Sequence, residues 1–596
     1  MKKRVADIMM EILAENHITT CFAVVGGGAM HLDNALALNQ DIKTYFNHHE
    51  QACAIAAEAY ARYSGQLAAV CVTSGPGATN AITGVMGAWV DSLPMLVLSG
   101  QMRYETTVQA SGLPLRYRGI QEFDIIHSVS NMTKYCCLVR DPLEIRAVLQ
   151  KAIMIAMEGR RGPVWIDVPL DVQGAVVEEE DLYPVAYQPQ KPLLDMRDIE
   201  NVVRLLQEAK RPVILAGNGI ANSGNLELFR KFVDRMGIPV VAAAIAADVM
   251  YREHENYYGI SGTIGPRAGN FIVQNADVIL TVGCALGFKM TGFAQEKFAP
   301  NAKIIMVDID SNEVRKPGLK ITQFVHSDMK DFMEALMKDG IKIRVEEEWI
   351  GYCRKVDQKF SPFSPGEGMP TEERVCAYYF WKQFEFAEPE DSILILGNNT
   401  ANSAKLQIGV KKEGQRIIAN NNAGSMGADL PEAMGAAIAS NRSVVCLTGD
   451  GSIMMNLQEL QTIHHYRLPV KIVVFSNDGY NAIRQTCKNF FEGKNFGCTP
   501  ESGVSFPDFK AVANCFQYPY RRCKCNGEID SSLEWLFAQP GAAFLEIDQR
   551  LDDPVVPKLM SRMKDDGTFI SPSLEDLSPF LDENEVKELM LWQAKE

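Results

Sequence analysis

Several things are missing from this chain of 596 residues, and each absence narrows what it does. It has no uninterrupted run of eighteen apolar residues, so no membrane-spanning helix is expected. Positive charge is scarce: 59 Lys and Arg stand against 74 Asp and Glu, a net charge of −15, which argues against nonspecific nucleic-acid binding. The deficit leaves a local phosphate site open, because one bound cation and a few backbone amides override a global field. Paired zinc spacing is also lacking. The 14 cysteines are scattered, Cys136-Cys137 falls in an apolar run, and Cys523-Lys524-Cys525 is too tight for a zinc pair. Reduced, mostly buried thiols in a cytoplasmic protein are expected. No secretory signal fits the start: Asp7 and Glu11 interrupt the segment after Met1-Lys2-Lys3-Arg4, and Val5, Ile8, Met9, Ile12 and Leu13 have helical spacing.

What is present points to a large globular α/β protein. Hydrophobic residues make up 47% and charged residues 22%, enough to bury several cores. At roughly 150 residues per domain the length predicts three or four domains. Short β-branched runs alternate with helix formers, a pattern that favours parallel sheets with helices on both faces. We therefore expect three doubly wound parallel-sheet domains, over residues 1–185, 190–345 and 368–550, and a tail over 551–596. A polar, Pro-rich stretch from Pro184 to Pro192 and a Pro/Gly/Ser stretch from Ser361 to Gly368 mark the linkers. The tail carries Pro554, Pro557, Pro572 and Pro579, then a polar helix near Glu583 to Gln593, and is long enough to reach over an active-site mouth.

The most informative motif lies in the third unit. Arg442 to Leu447 reads as a buried strand, Thr448-Gly449-Asp450-Gly451-Ser452 as the turn at its carboxyl end, and Pro469 to Phe475 as the next strand, followed by Ser476-Asn477-Asp478-Gly479-Tyr480. Asp450 and Asn477 thus come from the carboxyl ends of successive strands, where open α/β sheets bind ligands. Two side-chain oxygens and a backbone carbonyl suit Mg²⁺, which completes its octahedron with water and phosphate oxygens. Glycines let the backbone approach a diphosphate closely. An Asx turn beside an Asn-containing loop would look the same locally.

Other segments accompany it. Asn47-His48-His49-Glu50-Gln51 precedes a run of small residues, Ala52 to Arg62, that should form a buried helix with Glu50 at its N-terminus. An acidic residue there also suits the helix dipole, worth about 0.5 kcal/mol. Val70 to Asn80 reads as a strand, a Gly75-Pro76-Gly77 turn and a helix start, which any βα turn would provide. Gly424-Ser425-Met426-Gly427 is a glycine-rich turn around a methionine, a residue that often just fills gaps. Asn398 to Asn402 follows the strand Ser392 to Leu396.

Taken together these segments resemble the thiamine diphosphate-dependent enzymes, in the branch of the acetolactate synthase large subunit and pyruvate oxidase. Ser476 departs from the Asn-Asn pair usual in that family. The resemblance implies thiamine diphosphate and Mg²⁺ as cofactors, with Asp450, Asn477 and the Gly479 carbonyl as metal ligands and Gly451 and Ser452 at the diphosphate. It implies pyrimidine contacts from Gly424 and Met426, with Gly75 in the Gly-Pro-Gly turn of the pyrimidine-binding domain and Asn402 near the diphosphate. Glu50 takes the place of the activating glutamate, whose carboxyl bonds the aminopyrimidine ring nitrogen; that task calls for a dry pocket and a raised pKa. The three units become the pyrimidine-binding, central nucleotide-binding-like and diphosphate-binding domains. The family sets glutamate and metal on different subunits of one site, which implies a homodimer or homotetramer.

The reaction is read from the same resemblance. Leu113 to Glu122 lacks the adjacent His pair of simple pyruvate decarboxylases, and Gln121-Glu122 followed by Asp124 resembles the synthase segment lining the substrate channel, which implies Gln121 as a catalytic residue beside Glu50. Arg116 or Arg118 there can bind a carboxylate or phosphate bidentately, or serve as a solvated loop arginine. We expect a carboligase using pyruvate as acyl donor and a second carbonyl compound as acceptor. A keto sugar nucleotide as acceptor in surface-glycan synthesis, a pyruvate decarboxylase or oxidase, and a non-catalytic regulatory homologue are the alternatives. Arg267 keeps FAD open for the central unit, although the run Gly287 to Gly292 lacks the arginines that usually contact it; a purely structural central domain is the other reading.

Overall fold

The computed structural model describes residues 1–563 and 568–592. Three sheets of six parallel strands, each flanked by helices, account for most of them. The expected α/β class with three doubly wound sheets is what the chain adopts. Strand Val470–Ser476 illustrates why: all seven of its residues are buried, as a strand covered by helices on both faces must be.

In the first sheet the strands lie in the order Lys43–Phe46, Thr20–Ala23, Ala69–Val72, Met95–Gln101, Pro163–Pro169, Tyr135–Leu138. Numbered along the chain, that is 2-1-3-4-6-5. The third sheet repeats it with Arg416–Ile418, Ile393–Leu396, Val444–Gly449, Val470–Ser476, Ala543–Asp548 and Tyr520–Cys523. The central sheet differs. Its order, Tyr257–Ser261, Val240–Ala243, Pro212–Ala216, Val278–Val282, Lys303–Asp308, Ile321–His326, is 3-2-1-4-5-6, the arrangement of dinucleotide-binding folds.

The first and third units meet through two helices that follow the second strand of each sheet, Glu50–Ser64 and Asp429–Ser440. Small residues let them touch backbone to backbone: a Cβ on Gly435 would fall 2.0 Å from the Ala56 carbonyl oxygen. Charge is buried beside this contact. Arg62 donates to Glu58 at 2.7 Å and to Asp91 at 2.6 Å, while Asn420 donates to Glu58 at 3.0 Å. Burial outweighs the Arg62 attraction and pushes the Glu58 carboxyl up to about 7.

Much of the tail lies on the central unit. Leu574, Leu577 and Leu589 are buried, Asn270 Nδ2 donates to the Leu574 carbonyl at 2.8 Å, and Trp592 Nε1 donates to that of Gln274 at 2.9 Å. Its closing helix spans Glu583–Leu589; Gln593, expected within it, lies outside the described residues. Earlier in the tail, Lys558 Nζ reaches Gln485 at 3.1 Å, so this segment also touches the helix after the Asn477 turn. Among the described residues no helix is long and apolar enough to cross a membrane.

Candidate cofactor site

The Asp450 carboxylate ties two neighbouring strand ends together. Its Oδ2 accepts from the backbone N–H of Asn477 at 2.9 Å and of Gly479 at 3.3 Å, and Oδ1 accepts from Gly451 at 2.8 Å. The side chain is 2% exposed, and burial outweighs these donors to push its carboxyl up to about 6. Gly479 has φ +154°, and a Cβ there would lie 2.1 Å from the Cys498 carbonyl, so only glycine fits. Gly451 lies under the Tyr480 ring, 2.1 Å from where its own Cβ would be. Asn477 is 4% exposed beside Asp450. Among the described residues no three His, Cys, Asp or Glu side chains cluster as metal ligands. A cation here would therefore take one carboxylate, one amide oxygen and a carbonyl, which is the donor set of Mg²⁺ and not of zinc.

The loop Gly424–Gly427 closes over this turn. Ser452 Oγ accepts from the Gly427 N–H at 2.8 Å, Gly424 has φ +62°, and Met426 is half-buried. The Gly424 carbonyl accepts from Asn398 Nδ2 at 2.7 Å and keeps a second lone pair for another donor. Asn402 turns away: its Nδ2 donates to the carbonyls of Gly397 at 2.9 Å and Leu447 at 2.7 Å, pinning two strand ends. In the Asn398–Asn402 run the uncommitted donor belongs to Asn399. Its Oδ1 caps the next helix, and its Nδ2 is buried without a partner beside Gly449. A buried unpaired amide N–H costs about 1–3 kcal/mol, which an anionic ligand oxygen would recover.

Glu50 opens its helix as expected, with His49 Nδ1 capping by accepting from the Gln51 N–H at 3.1 Å. Its carboxylate accepts from Asn80 Nδ2 at 2.9 Å and is half-buried, while Asn80 is exposed. Within one chain and among the described residues, no hydrogen bond joins Glu50 to Asp450 or Asn477. The nearest tie runs through its neighbour: Asn456 Nδ2 donates to Gln51 Oε1 at 3.0 Å and to the Gly427 carbonyl at 2.8 Å.

Gly75 and Gln121 are brought together by their backbones. Gly75 has φ +58°, and a Cβ there would lie 2.4 Å from the Gln121 carbonyl; Gln121 itself has φ +60° with an exposed side chain. Below that loop, Gln101 Nε2 donates to the Phe123 carbonyl at 2.9 Å and to Asp167 at 3.1 Å, and Ser99 donates to Asp167 at 2.5 Å. Burial lifts the Asp167 carboxyl to about 7. Arg116 and Arg118 are both exposed, and Arg118 is spent on the Glu105 carbonyl at 2.7 Å.

Two cavities adjoin the site. One of about 510 Å³ opens at the point where the central strand order reverses, lined by Gly217, Asn218, Gly283, Asp308 and Arg160. The other, about 260 Å³, lies between the central and third units and is lined by Asn399, Gly424, Ser425 and Glu432. Ala244, Lys289 and Asn421 belong to both walls. Arg267 lines neither; its guanidinium donates to the tail carbonyls of Leu577 and Pro579.

Comparison with known proteins agrees with this architecture unit by unit. Residues 3–127 match the family model described as the N-terminal TPP binding domain of thiamine pyrophosphate enzymes, 199–336 its central domain, and 396–547 its C-terminal TPP binding domain. The chain is 31% identical over 573 residues to acetolactate synthase 1, chloroplastic, of Zea mays, covering 93% of this chain and 87% of that one. It is 29% identical over 561 residues to the acetolactate synthase isozyme 1 large subunit of Escherichia coli (strain K12), covering 93% and 95%. With a probable acetolactate synthase large subunit of Methanococcus aeolicus it shares 30% identity, covering 89% of each. Three matched domains in family order, and relatives aligned over nearly their whole length, make this chain a member of the thiamine pyrophosphate enzymes.

Proposed function

We propose that this enzyme is a thiamine diphosphate- and Mg²⁺-dependent carboligase that takes its acyl unit from pyruvate and joins it to a second carbonyl compound. The observation that carries this reading is the Asp450 carboxylate bridging two strand ends, with Asn477 and Gly479 beside it. In this reading Asp450, Asn477 and the Gly479 carbonyl hold Mg²⁺, while Gly451, Ser452 and the unpaired Asn399 amide face the diphosphate. The Gly424 carbonyl accepts from the aminopyrimidine, Met426 supports the cofactor between its rings, and Gly75 and Gln121 shape the loop on the substrate side. When bound, thiamine diphosphate supplies the nucleophilic carbon that adds to the 2-oxo acid and takes up the electron pair released with CO₂.

The chain's own groups then divide the remaining tasks. Glu50 holds a proton at the aminopyrimidine ring nitrogen. As the family resemblance implies, it serves a cofactor held by a second copy, and the active form is at least a homodimer. Fourteen cysteines, all free, support a reducing compartment, and we place the enzyme in the cytoplasm. The cavity of about 510 Å³ has the position and size of a dinucleotide site and supports FAD there. Arg267, committed to the tail, would take no part in binding it.

The test is a product assay. Full-length protein with thiamine diphosphate and Mg²⁺ is incubated with pyruvate, alone and with added carbonyl acceptors, and analysed by mass spectrometry. Acetolactate or a mixed ligation product is expected. Acetaldehyde or acetate alone would favour a decarboxylase or oxidase, and unconsumed pyruvate would remove it as donor. A flavin absorbance in the purified protein checks the central cavity.

A further inference from the structure

The side-chain amide of Asn477 is gripped at both ends. Its Nδ2 donates to Gln549 Oε1 at 3.1 Å, and its Oδ1 accepts from Arg484 Nη2 at 2.9 Å. The same guanidinium nitrogen donates to the Asn477 backbone carbonyl at 2.7 Å. Gln549 is completely buried, and its own Nε2 donates to Asp553 Oδ2 at 3.1 Å. That oxygen already accepts from the Ala377 backbone N–H at 2.7 Å, a group that can only donate. The direction of the whole chain follows from that fixed donor. Asp553 Oδ2 must accept, so Gln549 turns its nitrogen to Asp553 and its oxygen to Asn477. Asn477 then turns its nitrogen to Gln549 and its oxygen to Arg484.

An asparagine amide free to rotate by half a turn offers nitrogen as readily as oxygen. A hard divalent cation accepts oxygen alone. We propose that Gln549 and Arg484 are positioning residues that lock the Asn477 amide in the single orientation presenting oxygen, never nitrogen, to the cation held with Asp450. This rests on the reading of Asn477 as a metal ligand. Neither residue belongs to the motif: Arg484 sits in the following helix, Asn481–Phe490, and Gln549 just past the strand Ala543–Asp548. Partners of this kind, one bond removed from the metal, typically govern cation affinity by 10–100-fold.

The lock has a signature that a merely structural role lacks. Aspartate offers oxygen at both positions, so an Asn477→Asp enzyme needs no orientation control. The experiment is a calorimetric titration of Mg²⁺ into full-length protein with saturating thiamine diphosphate, with melting temperature recorded for every variant. Gln549→Met, close in volume but without the hydrogen bonds, should weaken Mg²⁺ binding by about 10-fold. The same change made on top of Asn477→Asp should cost nothing, or improve binding by removing an oxygen that faces the new carboxylate. Should Gln549→Met fail to fold, Arg484→Lys at its half-buried site carries the test; it keeps the charge, loses the rigid fork, and should weaken Mg²⁺ severalfold. Unchanged affinity in a folded Gln549→Met protein, or an equal loss in the Asn477→Asp background, overturns the lock. Unchanged affinity in Asn477→Ala would instead overturn the assignment of Asn477 as a ligand.

Discussion

The first and third units share one strand order and one helix placement, yet their chemistry is split. Each sheet's third strand runs into a helix start. In the first unit that start is Gly75-Pro76, where proline is tolerated at the first helical position and offers neither charge nor N–H. In the third it is Gly449-Asp450, where a buried carboxylate gathers three backbone donors. The helix after the second strand differs in the opposite sense. In the first unit it opens with half-buried Glu50, which bonds exposed Asn80; in the third it opens with Asp429, fully buried and bonded by Thr448. The same scaffold thus holds a buried carboxylate bonded by backbone N–H groups in one unit and a half-buried acid bonded to an exposed amide in the other. Duplicated architecture fixes where turns fall, and single side chains at those turns decide what each copy does.

Mutations at these paired positions can break that contrast. The largest effect is expected for Asp450→Ala: cofactor and Mg²⁺ affinity should collapse by more than ~100-fold, beyond the range of outlying partners, as read by titration. Glu50→Gln should leave cofactor affinity near normal but slow proton exchange at the reactive carbon by roughly 10²–10⁴, measured by NMR; normal exchange would strip Glu50 of its role. Gly435→Ala inserts a methyl against the Ala56 carbonyl where the two equivalent helices meet. It should cost about 1–3 kcal/mol in denaturant unfolding, and no loss would mean the helices separate easily.

A last effect concerns pH. Burial raises the Asp167 carboxyl from its ordinary 3.8 to about 7, so the folded chain holds this proton more tightly than the unfolded one. The resulting penalty is absent below roughly pH 4, grows as the unfolded state ionises, and levels off above about 7. Relative to Asp167→Asn, wild-type melting temperature should fall across that window and stay parallel above it. Parallel curves throughout would show that Asp167 keeps an ordinary pKa.

Much of this was legible in the sequence because the signals were local. Buried strands such as Val444–Gly449 announce themselves as β-branched runs, and spacing alone puts Asp450 and Asn477 at neighbouring strand ends. The reversed strand order of the central sheet was not legible, since nothing local says which strands pair. Nor was it legible which of Asn402 and Asn399 spends its amide on backbone carbonyls and which keeps a buried, unpaired one. Both are asparagines in one helical turn, and only the neighbouring strand shows which amide is consumed by its carbonyls. Gln549 and Arg484 escaped for the same reason, as their meaning depends on an amide that is 72 residues from Gln549 and 7 from Arg484.

The tail's attachment bears on how the chain acquires its shape during synthesis. The central sheet has all its strands once His326 has emerged, yet Asn270 waits for Leu574, its partner 304 residues later, to cover that flank. Chains generally fold from the N-terminus as they are made. The middle of this molecule is therefore the last part to be sealed, and a nascent chain stalled before Leu574 leaves an apolar flank open to chaperones.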